Sequence, residues 1–352
     1  METRPYVPWK LMNDFMIDVF KAYGVPEEDA KICADVLLES DRRGIESHGC
    51  NRFKPIYIDR IVKGTLLPKT QLEIVKETPT TIVMDAHDGM GMVAAHAMME
   101  KLIQKAKECG MAGGAIRNST HYGIAGYWTD MAAKQGLIAV TGTNARPSIA
   151  PTFGVENMLG TNPLTFSLPT DEEFPFCLDC ATSIVQRGKI EFYARSGKDT
   201  PEGMVVTHDG KPITDSKAIL KMLNEGSAAL APLGGGPGDE MCGYKGYGYA
   251  TVVEILSSAL AGGEFMKASA AYRRKAKRRC IISVTSSLSS TRRLLWVWMS
   301  LRRRPARFAA NCALLPKHRD MRGSIQPAKK NTLSLWKEKI KECRSMKPYR
   351  KN

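Results

Sequence analysis

Histidine is the side chain whose ordinary pKa lies closest to neutrality, so one that shares a connection with an arginine is a first candidate for proton transfer on an anionic substrate. The run Ser47-His48-Gly49-Cys50-Asn51-Arg52, set between two helix-forming stretches, offers that pairing. His48 could take or give the proton of a secondary alcohol, because a hydride leaving carbon requires an acceptor for the hydroxyl proton. Arg52 could hold a carboxylate in a bidentate fork. A loop histidine beside a solvated arginine is the plainer reading, and this run alone leaves both open.

Other runs carry comparable pairs of readings. Arg117-Asn118-Ser119-Thr120-His121-Tyr122-Gly123-Ile124-Ala125-Gly126 lies at a strand-to-helix transition. Free N–H groups there suit a phosphate, and His121 could touch nicotinamide or substrate. A capped turn with a surface histidine is the alternative. Gly160-Thr161-Asn162-Pro163 reads as turn chemistry before an apolar strand. In Gly243-Tyr244-Lys245-Gly246-Tyr247-Gly248, Lys245 either binds phosphate or ribose as a point charge or belongs to a flexible linker. Gly89-Met90-Gly91-Met92-Val93-Ala94 fits the dinucleotide pattern G-x-G-x-x-A. The acidic residue expected after the following strand is missing, since Arg117-Asn118 stands there, so no Rossmann site is expected. Cys177-x-x-Cys180 has neither a second pair nor a nearby histidine pair, and no metal site is expected.

The formal charge is +15 over 352 residues, but it is unevenly placed. Residues 266–352 hold 25 lysines and arginines against three acidic residues, a net of +22, which leaves −7 for residues 1–265. A nucleic-acid or polyanion role would therefore belong to the tail alone. Nine cysteines at irregular spacing, with no apolar leader at the start, point away from a disulfide framework and toward the reducing cytoplasm. No apolar run approaches 18 residues, so no membrane span is expected.

The elements that must position these runs follow from periodicity. Trp9 to Phe20 and Glu27 to Arg43 read as helices ended by Gly24 and Gly44, and Asn51–Lys63 is helical in character. Strands are expected at Leu72–Val75, Thr81–Met84, Ala112–Ile116, Leu137–Thr141, Pro163–Leu168 and Phe176–Leu178. Helices are expected at Met92–Cys109, Ala125–Lys134, Ser183–Ala194 and Gly246–Leu260. The alternation predicts an α/β or α+β protein. It divides into an N-terminal helical lobe (1–71), a mixed-sheet domain for cofactor and substrate (72–265) and an atypical basic tail (266–352). In the tail the Ser/Thr cluster 283–291 shows little periodicity, and only Leu333–Ile340 resembles an amphipathic helix.

Together, Asp41-Arg42-Arg43-Gly44-Ile45-Glu46-Ser47-His48-Gly49, Asn118-Ser119-Thr120-His121-Tyr122-Gly123, Gly160-Thr161-Asn162-Pro163, Leu178-Asp179-Cys180-Ala181-Thr182 and Tyr244-Lys245-Gly246-Tyr247-Gly248 resemble the malate/L-lactate dehydrogenase family. That family includes ureidoglycolate and sulfolactate dehydrogenases, and the Ser-His-Gly-Cys-Asn-Arg variant is nearest its malate dehydrogenases. The resemblance implies a non-Rossmann mixed-sheet fold, a homodimer, and hydride transfer between NAD, or NADP, and a small 2-hydroxyacid such as malate. It implies His48 as proton carrier oriented by Ser47, with Arg52 on the substrate carboxylate and Thr161 near the substrate. His121, Tyr122, Gly123, Ile124, Ala125, Asp179, Cys180, Ala181, Lys245 and Gly246 would line the cofactor. Ureidoglycolate, sulfolactate, lactate or a cyclic imine acid are alternative substrates on the same fold. The resemblance covers roughly residues 8–265. Beyond them the texture fits a reading out of frame, restored near Leu333, or a genuine basic arm on an impaired enzyme that binds polyanions.

Overall fold

The helix signals at the start of the chain are realised in the computed structural model, which describes residues 7–267 apart from 237 and 239, and the backbone of 283–290. Helix α1 (Trp9–Ala22) buries Met16 and Phe20, one turn apart. Helix α2 (Glu27–Arg42) starts after Pro26 with Glu27, Glu28 and Asp29 in its positive first turn. It buries Ala30, Cys33, Ala34 and Leu37 at helical spacing. The stretch expected as one helix over Asn51–Lys63 breaks into a 3₁₀ turn (Cys50–Arg52), a π-helical turn (Phe53–Ile58) and the short α3 (Asp59–Val62). Pro55 lies inside the π segment; it has no N–H to give and its ring crowds the preceding turn, so an even α-helix cannot run through it.

The next elements are β1 (Glu73–Glu77), β2 (Thr81–Asp85), α4 (Gly91–Cys109), β3 (Met111–Ser119), α5 (Ala125–Ala133), β4 (Ile138–Thr143), β5 (Leu164–Leu168) and β6 (Phe176–Cys180). Then come α6 (Arg187–Arg195), β7 (Val205–Thr207), α7 (Ser216–Glu225), β8 (Ala228–Leu230), α8 (Gly243–Glu254) and β9 (Ser283–Ser290). A seven-stranded sheet has the order β1-β2-β3-β9-β4-β5-β6, and β7 pairs with β8 apart from it. Only β2 and β3 run parallel, joined by α4; every other neighbouring pair is antiparallel. The expected mixed α/β class is the observed one.

Three expectations change. The helix expected from Ser183 begins at Arg187, because Ser183 and Ile184 are extended: Leu233 N–H donates to Thr182 O and Ile184 N–H to Ala231 O. The helix expected over Gly246–Leu260 starts earlier, at Gly243, and loosens to a π-helical turn over Ile255–Ala259. The Ser/Thr cluster read as aperiodic holds β9, the central strand. Serine composition is no bar there, since a central strand draws its hydrogen bonds from backbone on both edges. Leu333–Ile340 and the arginine runs lie outside the described residues. Elements β7, α7 and β8 were not foreseen, although Asp215, which caps α7 by accepting from the N–H groups of Lys217 and Ala218, and Gly226 beyond its end are the usual start and stop residues.

Among the described residues two large apolar clusters form, beside two small ones. The larger joins α1, α2 and the π-helical turn to β2, α4, β3 and α5, with Trp128, Phe20 and Tyr57 fully buried. The second gathers Ile149, Leu159, Ile190, Val205, Ile219, Leu230 and Ala250. The strands β3 and β4 never pair with each other; both pair with β9. Truncation after Lys267 should therefore leave both edges open and yield an aggregating product, checked by size-exclusion chromatography and urea unfolding. A monodisperse, cooperatively unfolding fragment would refute this.

Candidate active site

The Ser47–Arg52 run sits just beyond the end of α2. Gly44, in the left-handed region, stops the helix, and Ser40 Oγ donates to Ile45 O. Asp41 accepts from Cys50 N–H at 2.8 Å, and any Cβ on Gly49 would lie within 1.8 Å of the Asp41 carboxylate. That loop therefore needs glycine, and it folds back on its own helix. Two contacts fix α2 to α5: Arg43 to Asp130 at 2.7 Å, and Tyr127 Oη donating to Asp35 at 2.6 Å.

The two sequence-predicted histidines meet. The rings of His48 and His121 stack with centroids 5.7 Å apart and planes 19° from parallel. Ser47 Oγ and His48 Nδ1 are 2.9 Å apart. His121 Nδ1 accepts Gly123 N–H at 3.2 Å and faces Tyr57 Oη at 2.6 Å. Since that nitrogen already accepts an amide, the Tyr57 hydroxyl donates to it, and the ring proton resides on Nε2. Burial lowers the His48 pKa, the nearby Arg52 lowers it further, and Asp179 works in the other direction. Burial and the charges of His48, Arg60 and Arg52 push His121 well below the ordinary histidine value. Both rings are thus neutral at pH 7. Burial holds the Tyr57 hydroxyl protonated, and pushes the Cys50 thiol up to about 12, so Cys50 is no nucleophile.

Arg52 donates from Nε to Ser47 O at 2.6 Å, and no carboxylate among the described residues pairs with it. A Cβ on Gly188 would stand 3.2 Å from an Arg52 guanidinium nitrogen and 3.6 Å from Ser47 Cβ, so the start of α6 closes over this side. Thr161 is brought in by the other half of the fold: its carbonyl accepts Thr182 N–H at 3.0 Å. Asn162 follows at φ +31, with its amide donating to Glu254 Oε2 at 2.7 Å and its oxygen accepting Ala145 N–H. Glu254 is 1% exposed; burial raises its pKa against the pull of Met266 N–H, Asn162 and Asn144. This buried carboxylate and Tyr57 were not singled out from the sequence, and Asn162 was quoted there only as part of a turn, because each acts through a partner distant in the chain.

The residues expected to line a cofactor divide. Tyr122, Ile124 and Ala125 turn into the core, and the buried Gly123 spends its N–H on His121, whose ring stacks on His48. Asp179 accepts Gly126 N–H at 2.7 Å and Thr165 Oγ1 at 2.9 Å, and so holds the α5 N-terminus. Cys180 is exposed on β6, and Cys177, three residues earlier on the strand, lies on its other face. Gly246 fits against Leu233, where a Cβ would come within 2.4 Å of two backbone atoms, and Lys245 beside it is exposed at the α8 N-terminus. Ser183 Oγ, on the strip that hydrogen-bonds to the same 231–233 segment, is buried with no partner among the described residues. Lys245, its ammonium exposed over the Tyr244 ring, and the unpartnered Ser183 hydroxyl are of the chemistry that suits the phosphate and ribose of a nicotinamide dinucleotide.

The glycine pattern at Gly89–Ala94 does open α4 in a β2-α4-β3 crossover, but chain fills it. Gly91 N–H donates to Thr120 Oγ1 at 2.9 Å, and a Cβ there would lie 2.2 Å from Thr120 O. Its glycines serve close packing of backbone, in line with the rejection of a Rossmann site. Gly91→Ala should destabilise the fold by about 1–3 kcal/mol and disturb His121, whose carbonyl also meets that Cβ. Thermal unfolding together with turnover checks it, with Gly248→Ala, which meets nothing within 4 Å, as the neutral control.

A profile of malate/L-lactate dehydrogenases matches residues 7–291. Over 261 residues the chain is 43% identical to the malate dehydrogenase of Pyrococcus horikoshii, covering 74% of this chain and 70% of that one. It is also 43% identical, over 249 residues, to the L-sulfolactate dehydrogenase of Methanocaldococcus jannaschii, covering 71% and 67%. The crystal structure of malate dehydrogenase from Entamoeba histolytica superposes with a TM-score of 0.79 at 38% identity, over 88% of this chain and 83% of that one. Sequence motifs, fold and these likenesses agree: the chain belongs to the malate/L-lactate dehydrogenase family, whose enzymes are nicotinamide-dependent oxidoreductases of 2-hydroxyacids.

Proposed function

We propose that this chain interconverts malate and oxaloacetate with NAD, or NADP, as the redox partner, and works as a homodimer in the cytoplasm. The observation that carries the proposal is a pair of neutral, stacked imidazoles beside an arginine that lacks a carboxylate. Likeness to malate dehydrogenases favours malate among the 2-hydroxyacids, with sulfolactate next.

In this reading Arg52 grips the carboxylate adjoining the reacting carbon, and Thr161 approaches the substrate from the opposite segment. His48 accepts the hydroxyl proton at Nε2 while its Nδ1–H donates to Ser47 Oγ; the serine hydroxyl can reverse its hydrogen bond when the imidazole tautomer changes. His121, with its proton on Nε2, donates toward the substrate oxygen. Lys245, Ser183 and the backbone of Gly123 and Cys180–Ala181 hold the dinucleotide. The bound nicotinamide supplies the hydride acceptor in one direction and the donor in the other. Closure by Gly188 and α6 keeps water from the reacting carbon.

A second reading exchanges the two rings, with His121 as proton carrier; the tautomer fixed by Tyr57 and Gly123 stands against it, because Nε2 then carries a proton and has no lone pair to accept the hydroxyl's. Purified protein should oxidise NADH or NADPH with oxaloacetate, and His48→Asn should lower kcat by about 10²–10⁴. A larger loss in His121→Asn, with the acid limb of the pH profile abolished only there, would transfer the role to His121. Failure of the folded wild type to turn over any 2-oxoacid would refute the dehydrogenase reading.

The pH dependence has a definite sign. Malate oxidation needs His48 unprotonated, and its pKa lies below the ordinary value, so oxidation should fall only as pH drops beneath about 6.5. Arg52→Gln removes a positive charge that disfavours the imidazolium, so the limb should move up in pH. The same change should lower kcat/KM about 10- to 100-fold. Profiles of kcat/KM for both proteins test this, and an unmoved limb would assign the titration to another group.

A further inference from the structure

The Glu254 carboxylate is buried without a cation, yet every side of it is engaged. It ends α8 at 1% exposure, and no lysine or arginine among the described residues pairs with it. Its partners are amides: Asn162 Nδ2 donates to Oε2 at 2.7 Å, Met266 N–H to Oε1 at 2.8 Å and Asn144 Nδ2 to Oε1 at 3.4 Å. A carboxylate taken out of water with no counter-charge burdens the fold. The three converging donors account for its presence. Two carboxylate oxygens accept from all of them, whereas a glutamine would turn its own N–H groups toward one.

Asn162 passes the constraint on. Its amide also donates to Ala250 O at 2.9 Å, one turn before Glu254, and its oxygen accepts Ala145 N–H at 3.0 Å. The backbone beside it is held as firmly: Thr182 N–H donates to Thr161 O at 3.0 Å, and Thr182 Oγ1 to Asn162 O at 2.9 Å. Leu233 N–H donates in turn to Thr182 O at 2.8 Å, and Gly246 N–H to Leu233 O at 3.2 Å. Gly246 lies in the opening turn of α8, beside Lys245. Hydrogen bonds therefore run from the last residue of α8, through the Thr161–Asn162 turn and Thr182, back to the start of the same helix. Further along the strip from Thr182, Gly188 packs against Arg52 and Ser47.

We propose that Glu254 is a positioning residue for hydride transfer: through Asn162 it sets the Thr161 turn, and through this ring of hydrogen bonds it keeps that turn in register with Lys245 at the other end of α8. The assignment rests on the dehydrogenase reading above and deepens it. A substrate held at Arg52 and Thr161 and a dinucleotide held at Lys245 react only if the segments that carry them stand at a fixed distance. A shift of about 1 Å between them slows the reaction about 10²-fold. Glu254 acts on that distance through its partners.

Two readouts on the full-length protein test it. Without any ligand, Glu254→Gln should raise the hydrogen-exchange rates of the Thr182, Leu233 and Gly246 amides about tenfold or more and leave those of α4 unchanged. Equal acceleration in α4 would mean a general loss of stability and overturn the proposal. In single turnover, with enzyme in excess over NADH and oxaloacetate saturating, the rate constant should fall about 10- to 100-fold at full amplitude. The Kd for NADH should stay within about twofold. A merely structural role lowers the amplitude by the unfolded fraction and leaves the rate constant at the wild-type value, which also overturns the proposal. Thr182→Val breaks the ring without touching the carboxylate; it should give the same signature, and it decides the matter if Glu254→Gln does not fold. A wild type silent with every 2-oxoacid refutes the dehydrogenase reading, and the assignment falls with it. An active wild type whose variants keep its rate constant sinks the assignment alone.

Discussion

The ion pair between Arg43 and Asp130 is the contact on which the site's geometry depends. Asp130 is 5% exposed, and its carboxylate receives Arg43 at 2.7 Å and Ser167 Oγ at 2.6 Å. Arg43 closes the helix that leads to Ser47 and His48, Asp130 is in the helix that follows His121, and Ser167 is on β5. One buried carboxylate therefore locks together the two segments that carry the imidazoles and the sheet beneath them. Removing either partner of such a pair strands a charge in low dielectric, which costs about 3–5 kcal/mol. The apolar face of α2 against α1 and α4 supplies the adhesion, while the ion pair sets where along that face the helix comes to rest.

Around this anchor, buried carboxylates do structural work. Asp85 accepts from His87 N–H, Arg117 and Asn118; burial opposes its ionisation, but these donors outweigh it and its pKa falls below the usual carboxylate value. It fixes the end of β3 and with it the turn to His121. Asp179 holds the α5 N-terminus and Glu254 holds Asn162. Arg52 is left with no acidic partner among the described residues. Acids spent on architecture and an arginine without a counter-charge make a charge pattern that suits an anionic ligand.

Glycine determines how closely the segments approach. Gly49 on Asp41, Gly91 on Thr120, Gly188 on Arg52 and Gly246 on Leu233 each occupy space where a Cβ would collide or crowd. A glycine pattern can thus resemble a dinucleotide turn while its role is the contact of two backbones, as at Gly91.

The sequence by itself determined the residue types and the local elements. Helical spacing placed α1, α2, α4 and α5, and side-chain chemistry singled out His48, Arg52, His121 and Lys245 from short-range pattern. What lay beyond it depends on partners far along the chain: Tyr57 reaches His121 across 64 residues and Asn162 reaches Glu254 across 92. The break of Asn51–Lys63 into 3₁₀ and π turns, the extended start at Ser183, and β9 as the strand joining β3 to β4 are likewise tertiary outcomes. Periodicity reports which face of a segment is apolar, whereas hydrogen bonds and charge pairs between distant segments decide where that face comes to lie. The stacked imidazoles exist only once those segments have met.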